Sequence, residues 1–188
     1  MPPMAQPQPG YELIKVLADL FTSELCLEPI IVPGAAPQPR VFIYNQKWKI
    51  PPVDGMFICV GFLYAKPFGA TLSYQTDPAT GGLIEVQGSN TQETYTVEAF
   101  SRNGEARERM HEIPMALRST ACQQLAERHS FKVGFIPSSF VDASETEESA
   151  ILNKYVATFS VLRAHTKSKP VDYFDKFENP PKFLITNP

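Results

Sequence analysis

The histidines are the first residues to consider for chemistry, because imidazole is a common metal ligand and proton carrier. The segment His111–Met115 begins like the two-histidine helix motif of zinc proteases. The second histidine of that motif would have to stand at Met115, however, and Pro114 interrupts the helical turn between the two positions. His129 and His165 have no cysteine or carboxylate at ligand spacing, and we expect surface positions at the end of a helix or strand. The sequence therefore predicts no metal site and no cofactor.

The cysteines and glycines do not form a catalytic or phosphate-binding pattern. Cys26, Cys59 and Cys122 are far apart among apolar or helical neighbours, which predicts buried thiols in a reducing compartment and not a disulfide framework. The chain contains no G-x-S-x-G elbow, no P-loop and no dinucleotide-binding glycine motif. We therefore expect no enzymatic activity. The alternative is a small hydrolase that uses Cys122 or His111, and replacing either by alanine would then abolish a measured turnover.

An acidic run, DASETEES, occupies residues 142–149. Its carboxylates could bind a cation, but the run lacks the glycine and the alternating ligands of a calcium loop. A solvated loop is the simpler interpretation. A second use is repulsion, because an acidic loop that lines a pore keeps DNA from adhering to the wall. The candidate residues of this channel-facing loop are Asp142, Glu145, Glu147 and Glu148.

Length and composition indicate one ordinary globular domain. The chain has 188 residues, 43% of them hydrophobic and 20% charged, with 18 prolines that cluster outside the periodic segments. A formal net charge of −3 provides no basic face for tight binding of duplex DNA. The first ten residues lack the basic and apolar regions of a signal peptide, and no segment approaches the ~20 apolar residues of a membrane span. We expect synthesis in the cytoplasm and no contact with a membrane.

The first hundred residues contain one helical pattern followed by extended segments. Apolar residues at helical spacing predict a helix over Tyr11–Leu25. Val41–Asn45 is short enough for an edge strand, and Met56–Ala65 is apolar on both faces, as in a central strand. Asp77, Pro78, Gly81 and Gly82 indicate a turn, so that Leu83–Gln87 and Thr94–Arg102 complete a long hairpin with a bend near Gly88.

A second helix should follow this hairpin. Asn103 is a good N-cap residue, and Glu105 and Arg109 have the i,i+4 spacing of an ion pair. Pro114 lies inside the pattern, so we expect a kink or a restart there, with two shorter helices as the alternative. The side of this helix that should face the sheet carries Ala106, Met110, Ile113, Leu117, Ala121 and Leu125.

The last third of the chain predicts two further strands and an extended end. Residues 132–140 and 152–165 have strand-like patterns, and the second places Tyr155, Ala157, Phe159 and Val161 on one face. The predicted fold is α+β, a mostly antiparallel sheet with two main helices packed against it. It comprises a flexible proline-rich arm at 1–10, a single domain at 11–169 and a C-terminal arm at 170–188. The arm's candidate contacts with a partner or neighbouring subunit are Tyr173, Phe174, Phe177 and Phe183.

Four segments together resemble the phage neck terminator family, the neck proteins of tailed bacteriophages that are similar to tail terminators. They read VFIYNQKWKIPP, MFICVGFL with AKPFG, TQETYTVEAFSRNGEARER and AILNKYVATFSVL. The likeness covers roughly residues 11–177, whereas Pro114 and the first ten residues depart from the family pattern. Its strongest elements are Gln92, Glu93 and Thr94 before a strand, Phe100, Ser101 and Arg102 at its end, Glu105 to Glu108 opening a helix, and Ile151 to Tyr155.

The resemblance implies a structural virion protein assembled in the host cytoplasm. Copies would form a hexameric ring that caps the tail tube, joins it to the head connector and leaves a channel through which DNA passes. The implied partners are other copies of the chain, the connector or adaptor protein, the tail tube protein and the sheath. The alternative within the same class is a head-completion or adaptor protein that binds the portal side.

Overall fold

The computed structural model of the protein describes residues 11–31, 36–44, 53–147 and 150–171. Within these ranges the chain forms a seven-stranded mixed sheet with helices packed on it, which confirms the α+β class. The elements are α1 (Tyr11–Glu24), β1 (Val41–Ile43), β2 (Phe57–Thr76), β3 (Leu83–Ser101), α2 (Glu105–Arg109), α3 (Glu112–Leu117), α4 (Thr120–Arg128), β4 (Phe131–Phe135), β5 (Val141–Asp142), β6 (Glu145–Glu147) and β7 (Ala150–Pro170).

The main strands follow the order β1-β2-β3-β7-β4, and the short strands β5 and β6 also pair with β7. All pairs are antiparallel except β1 with β2, which is parallel, so the prediction of a mostly antiparallel sheet holds with one exception. The proline-rich segment 1–10 lies outside the described residues. Pro170, which we had placed in a C-terminal arm, is the last residue of β7.

Helix α1 confirms the predicted helix and ends one residue earlier. Its apolar side chains Leu17 and Phe21 are fully buried against the sheet. Beyond the helix, the Leu27 N–H donates to the Thr22 carbonyl at 3.0 Å while Cys26 adopts a left-handed φ of 50°. This is the pattern of a helix C-terminal cap. The prediction that Cys26 is buried is wrong, because the residue that forms such a cap projects beyond the last turn, and Cys26 is exposed.

Strand β2 is twice as long as its sequence pattern predicted. Its first residues, from Phe57 to Gly61, are buried as expected, but the strand continues to Thr76 through Pro67 and Gly69. Proline lacks an N–H and is tolerated on a strand edge or at a bulge. Pro67 meets both conditions, because the ladder with β3 shifts register beside it and β1 does not extend that far.

The hairpin of β2 and β3 confirms the predicted turn but not the predicted bend. Gly81 has a φ of +71°, a conformation that favours glycine, in the turn that opens at Asp77. Strand β3 runs without interruption from Leu83 to Ser101. Gly88 does not form a bend but lets β3 lie close to β2, since a Cβ there would collide with the Thr71 hydroxyl.

The segment from Glu105 to Arg128 forms three short helices, not one helix or two. The first break, at Met110 and His111, precedes Pro114 and places it in the first turn of α3. A first-turn residue has no intrahelical partner for its N–H, so proline costs little at this position. The second break is set by Ser119, whose hydroxyl accepts a hydrogen bond from the Cys122 N–H at 3.1 Å and caps α4.

Hydrogen bonds from two polar side chains join the end of β3 to the start of α2. The buried Ser101 hydroxyl accepts from the Ala106 N–H at 3.0 Å and donates to the Asn103 carbonyl at 2.5 Å. The Asn103 side chain accepts from the Glu105 N–H at 3.0 Å, although the residue next to the helix is Gly104. The prediction of Asn103 as the N-cap is therefore wrong by one residue, although its side chain still accepts a hydrogen bond from the first turn of α2.

Arg109 connects the residue that follows α1 with α2 and α3. Its guanidinium donates to Glu105 at 2.8 Å, to both oxygens of Glu112 at 2.9 Å and to the Leu25 carbonyl at 2.7 Å. The Glu105–Arg109 pair confirms the predicted i,i+4 contact. The hydrogen bonds that Arg109 donates to Glu112 are the largest cause that raises the pKa of Arg109, so the side chain stays charged.

We expect Arg109→Ala to lower the free energy of unfolding by about 1–2 kcal/mol, because the lost bonds are charge-assisted but the site is partly hydrated. Arg109→Lys should recover less than half of this loss, since an ammonium cannot span both oxygens of Glu112 and the Leu25 carbonyl. Urea denaturation followed by circular dichroism measures the difference. Arg118→Ala, at an exposed arginine of the same region, is the matched control; equal losses for the two alanine variants would contradict the connecting role.

Candidate assembly surface

Three strands of the sheet extend well past the helices. The extended part, which we call the β-extension, comprises residues 62–76 of β2, 83–94 of β3 and 162–170 of β7. At ~3.3 Å per residue its central strand measures about 40 Å. The pairing is continuous from the core to the tip, where the Val171 N–H still donates to the Leu83 carbonyl at 3.0 Å.

Strand alternation assigns each side chain of the β-extension to one of two faces. Tyr95 and Phe159 are paired residues on the face that packs against α1, and Phe21 of α1 meets Phe159 with ring centroids 6.3 Å apart. Farther from the core, the same alternation places Glu93 on that face, followed by Thr91, which is paired with Arg163. Glu93 is still buried, whereas Thr91 and Arg163 are partly exposed, so the face changes from covered core to open surface along the same strands.

This open face encloses a cavity of about 1020 Å³. We call the whole open face, with the cavity, the concave face. Its lining combines apolar and basic side chains from all three strands. Phe62 and Leu72 come from β2, Gln87 from β3, and Arg163 and Lys167 from β7. Exposed aromatic side chains and arginine are enriched in the contact surfaces of proteins.

Large apolar side chains are exposed along the β-extension. Leu72 is 59% exposed and Tyr74 is 55% exposed, and both lie on the concave face of β2. Tyr64 and Phe68 are similarly exposed. Phe62, 44% exposed, shares the concave face with Leu72 and Tyr74, whereas Tyr64 is paired with Thr94 and lies on the opposite face. Large apolar side chains exposed together on one face usually mark a contact with another molecule.

Both outer edges of the β-extension are open among the residues that the structure describes. The pairing of β1 with β2 ends at Val60, and the pairing of β4 with β7 ends at Arg163. The backbone of β2 from Phe62 onward, and that of β7 past Arg163, therefore face outward without a described strand beside them. Long apolar edges of this kind pair readily with another chain.

A buried carboxylate lies where the concave face meets the core. Glu93 is 3% exposed, and it accepts a hydrogen bond of 2.5 Å from the Tyr95 hydroxyl. Arg163 donates to its other oxygen at 3.4 Å, and the His165 Nε2 lies 3.6 Å from that same oxygen. Thr91 completes the group with its hydroxyl 3.0 Å from the His165 Nε2.

The surroundings of Tyr95 keep its hydroxyl protonated, so the hydroxyl remains a hydrogen-bond donor. Burial of the hydroxyl, and then the adjacent Glu93 carboxylate, raise the pKa of Tyr95 well above its usual value. Glu93 is thus held by one neutral donor and one guanidinium. These contacts bind β3 to β7 at the base of the β-extension.

Sequence reasoning missed this group and misplaced its members. Glu93 was predicted to lie before a strand, but it is inside β3. His165 was predicted to lie near a strand end without a carboxylate, whereas it lies within β7 beside Glu93. Glu93 and Arg163 are 70 residues apart in the chain, so spacing could not reveal the contact. The available signal was alternation, because Glu93 occupies the same face as Tyr95, Val97 and Ala99.

The acidic run is not a simple loop. Asp142 ends β5, and Glu145 and Glu147 belong to β6, which pairs with β7. Pairing with the long neighbouring strand explains why these residues are extended. Asp142 and Glu145 are exposed, and a hydrogen bond from the Ser144 hydroxyl lowers the pKa of Asp142. Glu148 lies outside the described residues, as do the aromatic candidates Tyr173, Phe174, Phe177 and Phe183.

The remaining candidates for chemistry are dispersed. His111 precedes α3 and is exposed, and His129 follows α4 at the surface, as predicted for a helix end. Cys59 and Cys122 are buried as predicted, and burial raises the pKa of the Cys59 thiol to about 12. Across the described ranges, no three histidine, cysteine or acidic side chains gather as a metal site would require. No helix in those ranges is long and apolar enough to cross a membrane.

Comparison with known proteins adds no assignment. No protein-family model matches the chain, and no curated protein is detectably similar to it. The β-extension and its concave face are therefore the features from which function has to be argued.

Proposed function

We propose that this chain is a structural protein of the tailed-phage neck and assembles into a ring that caps the tail tube and joins it to the head connector. The observation that carries the proposal is the β-extension, a long part of the sheet that exposes large apolar side chains and has two backbone edges with no described strand beside them. The sequence resemblance to neck terminators supports the same class. In this role the protein performs no reaction and needs no cofactor.

Ring formation resolves the physical problem that the β-extension poses. Leu72 and Tyr74 would each be removed from water against a neighbour, and burial contributes about 25 cal/mol for each Å² of apolar surface. Cyclic symmetry repeats the same contact between every pair of subunits and leaves none unused. The open edges of β2 and β7 would be covered in the same step.

The charge of the chain fits a channel that DNA crosses without being held. A net charge of −3 and exposed carboxylates such as Asp142 and Glu145 disfavour adhesion of phosphate. We propose that the segment containing these residues faces the channel, with the connector protein on one side of the ring and the tail tube, with its sheath, on the other.

Purified full-length protein should form closed rings, which mass photometry and cryo-electron microscopy will reveal. Six copies of the 21.0 kDa chain are the expected mass. A chain carrying both Leu72→Asp and Tyr74→Asp should remain monomeric without a change in melting temperature, because both side chains are exposed in the subunit. Met115→Asp, at an equally exposed apolar residue on α3, should leave rings intact.

A strictly monomeric wild-type protein at high concentration would contradict the proposal. Pull-down with isolated tail tubes and with portal complexes then distinguishes positions in the virion. A terminator must bind the end of the tube, whereas binding to the portal complex alone would identify a head-completion protein.

A further inference from the structure

We infer that the concave face binds the C-terminal segment, residues 172–188, of a neighbouring copy of this chain. The inference rests on the proposed ring and names the contact between its subunits. It follows from where the described chain ends, from the residue types in the C-terminal segment and from the lining of the concave face.

The chain leaves the described fold at the tip of the β-extension. Strand β7 runs outward to Pro170, and the hydrogen bond from Val171 to Leu83 keeps the chain on that course. Seventeen residues, from Asp172 to Pro188, follow. At ~3.3–3.6 Å per residue they can span about 56–61 Å. That length exceeds the β-extension itself and is enough to reach and cover the concave face of another subunit.

The C-terminal segment is complementary to the concave face in chemistry. Its first part, DYFDKFE, alternates three acidic residues with three aromatic ones around a single lysine. The concave face offers Phe62 and Leu72 for aromatic packing, and Lys167 for pairing with a carboxylate. Arg163 and Lys169 already contact Glu93 and Glu85, whereas Lys167 forms no ion pair within the described residues.

Chain direction favours the neighbour over the subunit's own face. To reach its own concave face, the chain would have to reverse immediately after Val171. Residues 172–178 contain no glycine or proline, and their turn-favouring residues are Asp172 and Asp175; the stronger turn signal, Asn179 with Pro180 and Pro181, comes only after Tyr173, Phe174 and Phe177. The acidic and aromatic stretch therefore precedes the stronger turn signal, which favours a neighbouring subunit as its partner.

Disulfide cross-linking of full-length chains tests the contact. One chain carries Gln87→Cys on the concave face and a second, differently tagged chain carries Lys176→Cys in the C-terminal segment, both with the exposed Cys26 replaced by serine. Mixing them under mild oxidation should give a disulfide between the two chains. Lys132→Cys is the matched control for Gln87→Cys, because it is exposed on the opposite face of the sheet and should not cross-link.

A charge reversal tests the chemistry of the same contact. Lys167→Glu should reduce the yield of the cross-link roughly fivefold, the size expected when one partly exposed ion pair becomes repulsive. Lys132→Glu should leave the yield unchanged. Melting temperatures of both variants show whether each is folded.

The possible results separate this inference from the proposed function. Rings that form without the cross-link would overturn the inference, leave the proposed function standing and show that another molecule or surface covers the concave face. A disulfide that forms only when both cysteines are in one chain would assign the segment to its own subunit and overturn the neighbour contact. Wild-type protein that forms no rings would instead contradict the proposed function.

Discussion

Replacing Phe159 by alanine should lower the free energy of unfolding by about 3–5 kcal/mol. The side chain is fully buried at the centre of the main core. It stacks on Tyr95 with ring centroids 5.5 Å apart and meets Phe21 of α1 edge-on at 6.3 Å. The substitution removes both aromatic contacts and leaves a cavity between sheet and helix that neither element can close alone. Urea denaturation monitored by fluorescence and circular dichroism gives the value.

Phe135→Ala is the matched control for this substitution. Phe135 is 52% exposed on the short strand β4, so its truncation should cost less than about 1 kcal/mol. The buried Val97→Asp variant, with an unpaired charge in the core, should unfold the protein or cost several kcal/mol. If Phe159→Ala and Phe135→Ala were equally stable, the assignment of the buried face of β7 would be wrong.

Local patterns were enough to predict the elements that the core depends on. Alternation along 152–165 assigned Tyr155, Ala157, Phe159 and Val161 to one face, and all four are buried there. Helical spacing likewise predicted α1, whose apolar residues reach the sheet. Both patterns arise because one side of a regular element is buried. Buried positions recur at every turn of a helix and at every second residue of a strand.

Boundaries were harder to predict because they depend on residues distant in sequence. The central strand was predicted to end at Ala65, yet β2 continues past Pro67 because no described strand needs an N–H at that edge. Pro114 suggested a kink at its own position, yet the first break precedes it, where Arg109 reaches both the Leu25 carbonyl and Glu112. In each case a tertiary contact, or the lack of one, determined the outcome of a local preference.

The concave face was beyond sequence reasoning for the same reason. Its lining depends on the register by which Thr91 meets Arg163 and Gln87 meets Lys167. A shift of one residue would turn all of these side chains to the other face. Register is set in the core, by pairs such as Tyr95 with Phe159, so the open surface follows from packing about 13–26 Å away along β3.

Replacing Glu93 by alanine should cost about 2–3 kcal/mol of stability. Breaking a fully buried ion pair typically costs about 3–5 kcal/mol. The Arg163 side chain retains 18% exposure and can partly regain water, which lowers the expected value. Glu98→Ala is the matched control, because Glu98 is on the same strand as Glu93 and forms an ion pair of 3.0 Å with Lys154 of β7. Glu98 is more exposed than Glu93, so its loss should cost about 1 kcal/mol or less.

A double-mutant cycle with Tyr95→Phe isolates the central hydrogen bond of the group. Tyr95→Phe removes the donor and leaves one Glu93 oxygen without its 2.5 Å contact. Since each single change already breaks that bond, the double variant should lose less than the sum of both, by about 0.5–3 kcal/mol. Additive losses would mean that the two groups are independent.

The same cycle, read by mass photometry, connects the subunit to its assembly. Glu93 and Arg163 join β3 to β7 where the covered core becomes the open β-extension, so weakening them should loosen the base of that surface. We expect Glu93→Ala to require a higher protein concentration for ring formation, although Glu93 itself is too buried to contact a neighbour. Unchanged ring formation together with the loss of stability would show that the group stabilises the core alone and that the β-extension holds its shape through its strand pairing.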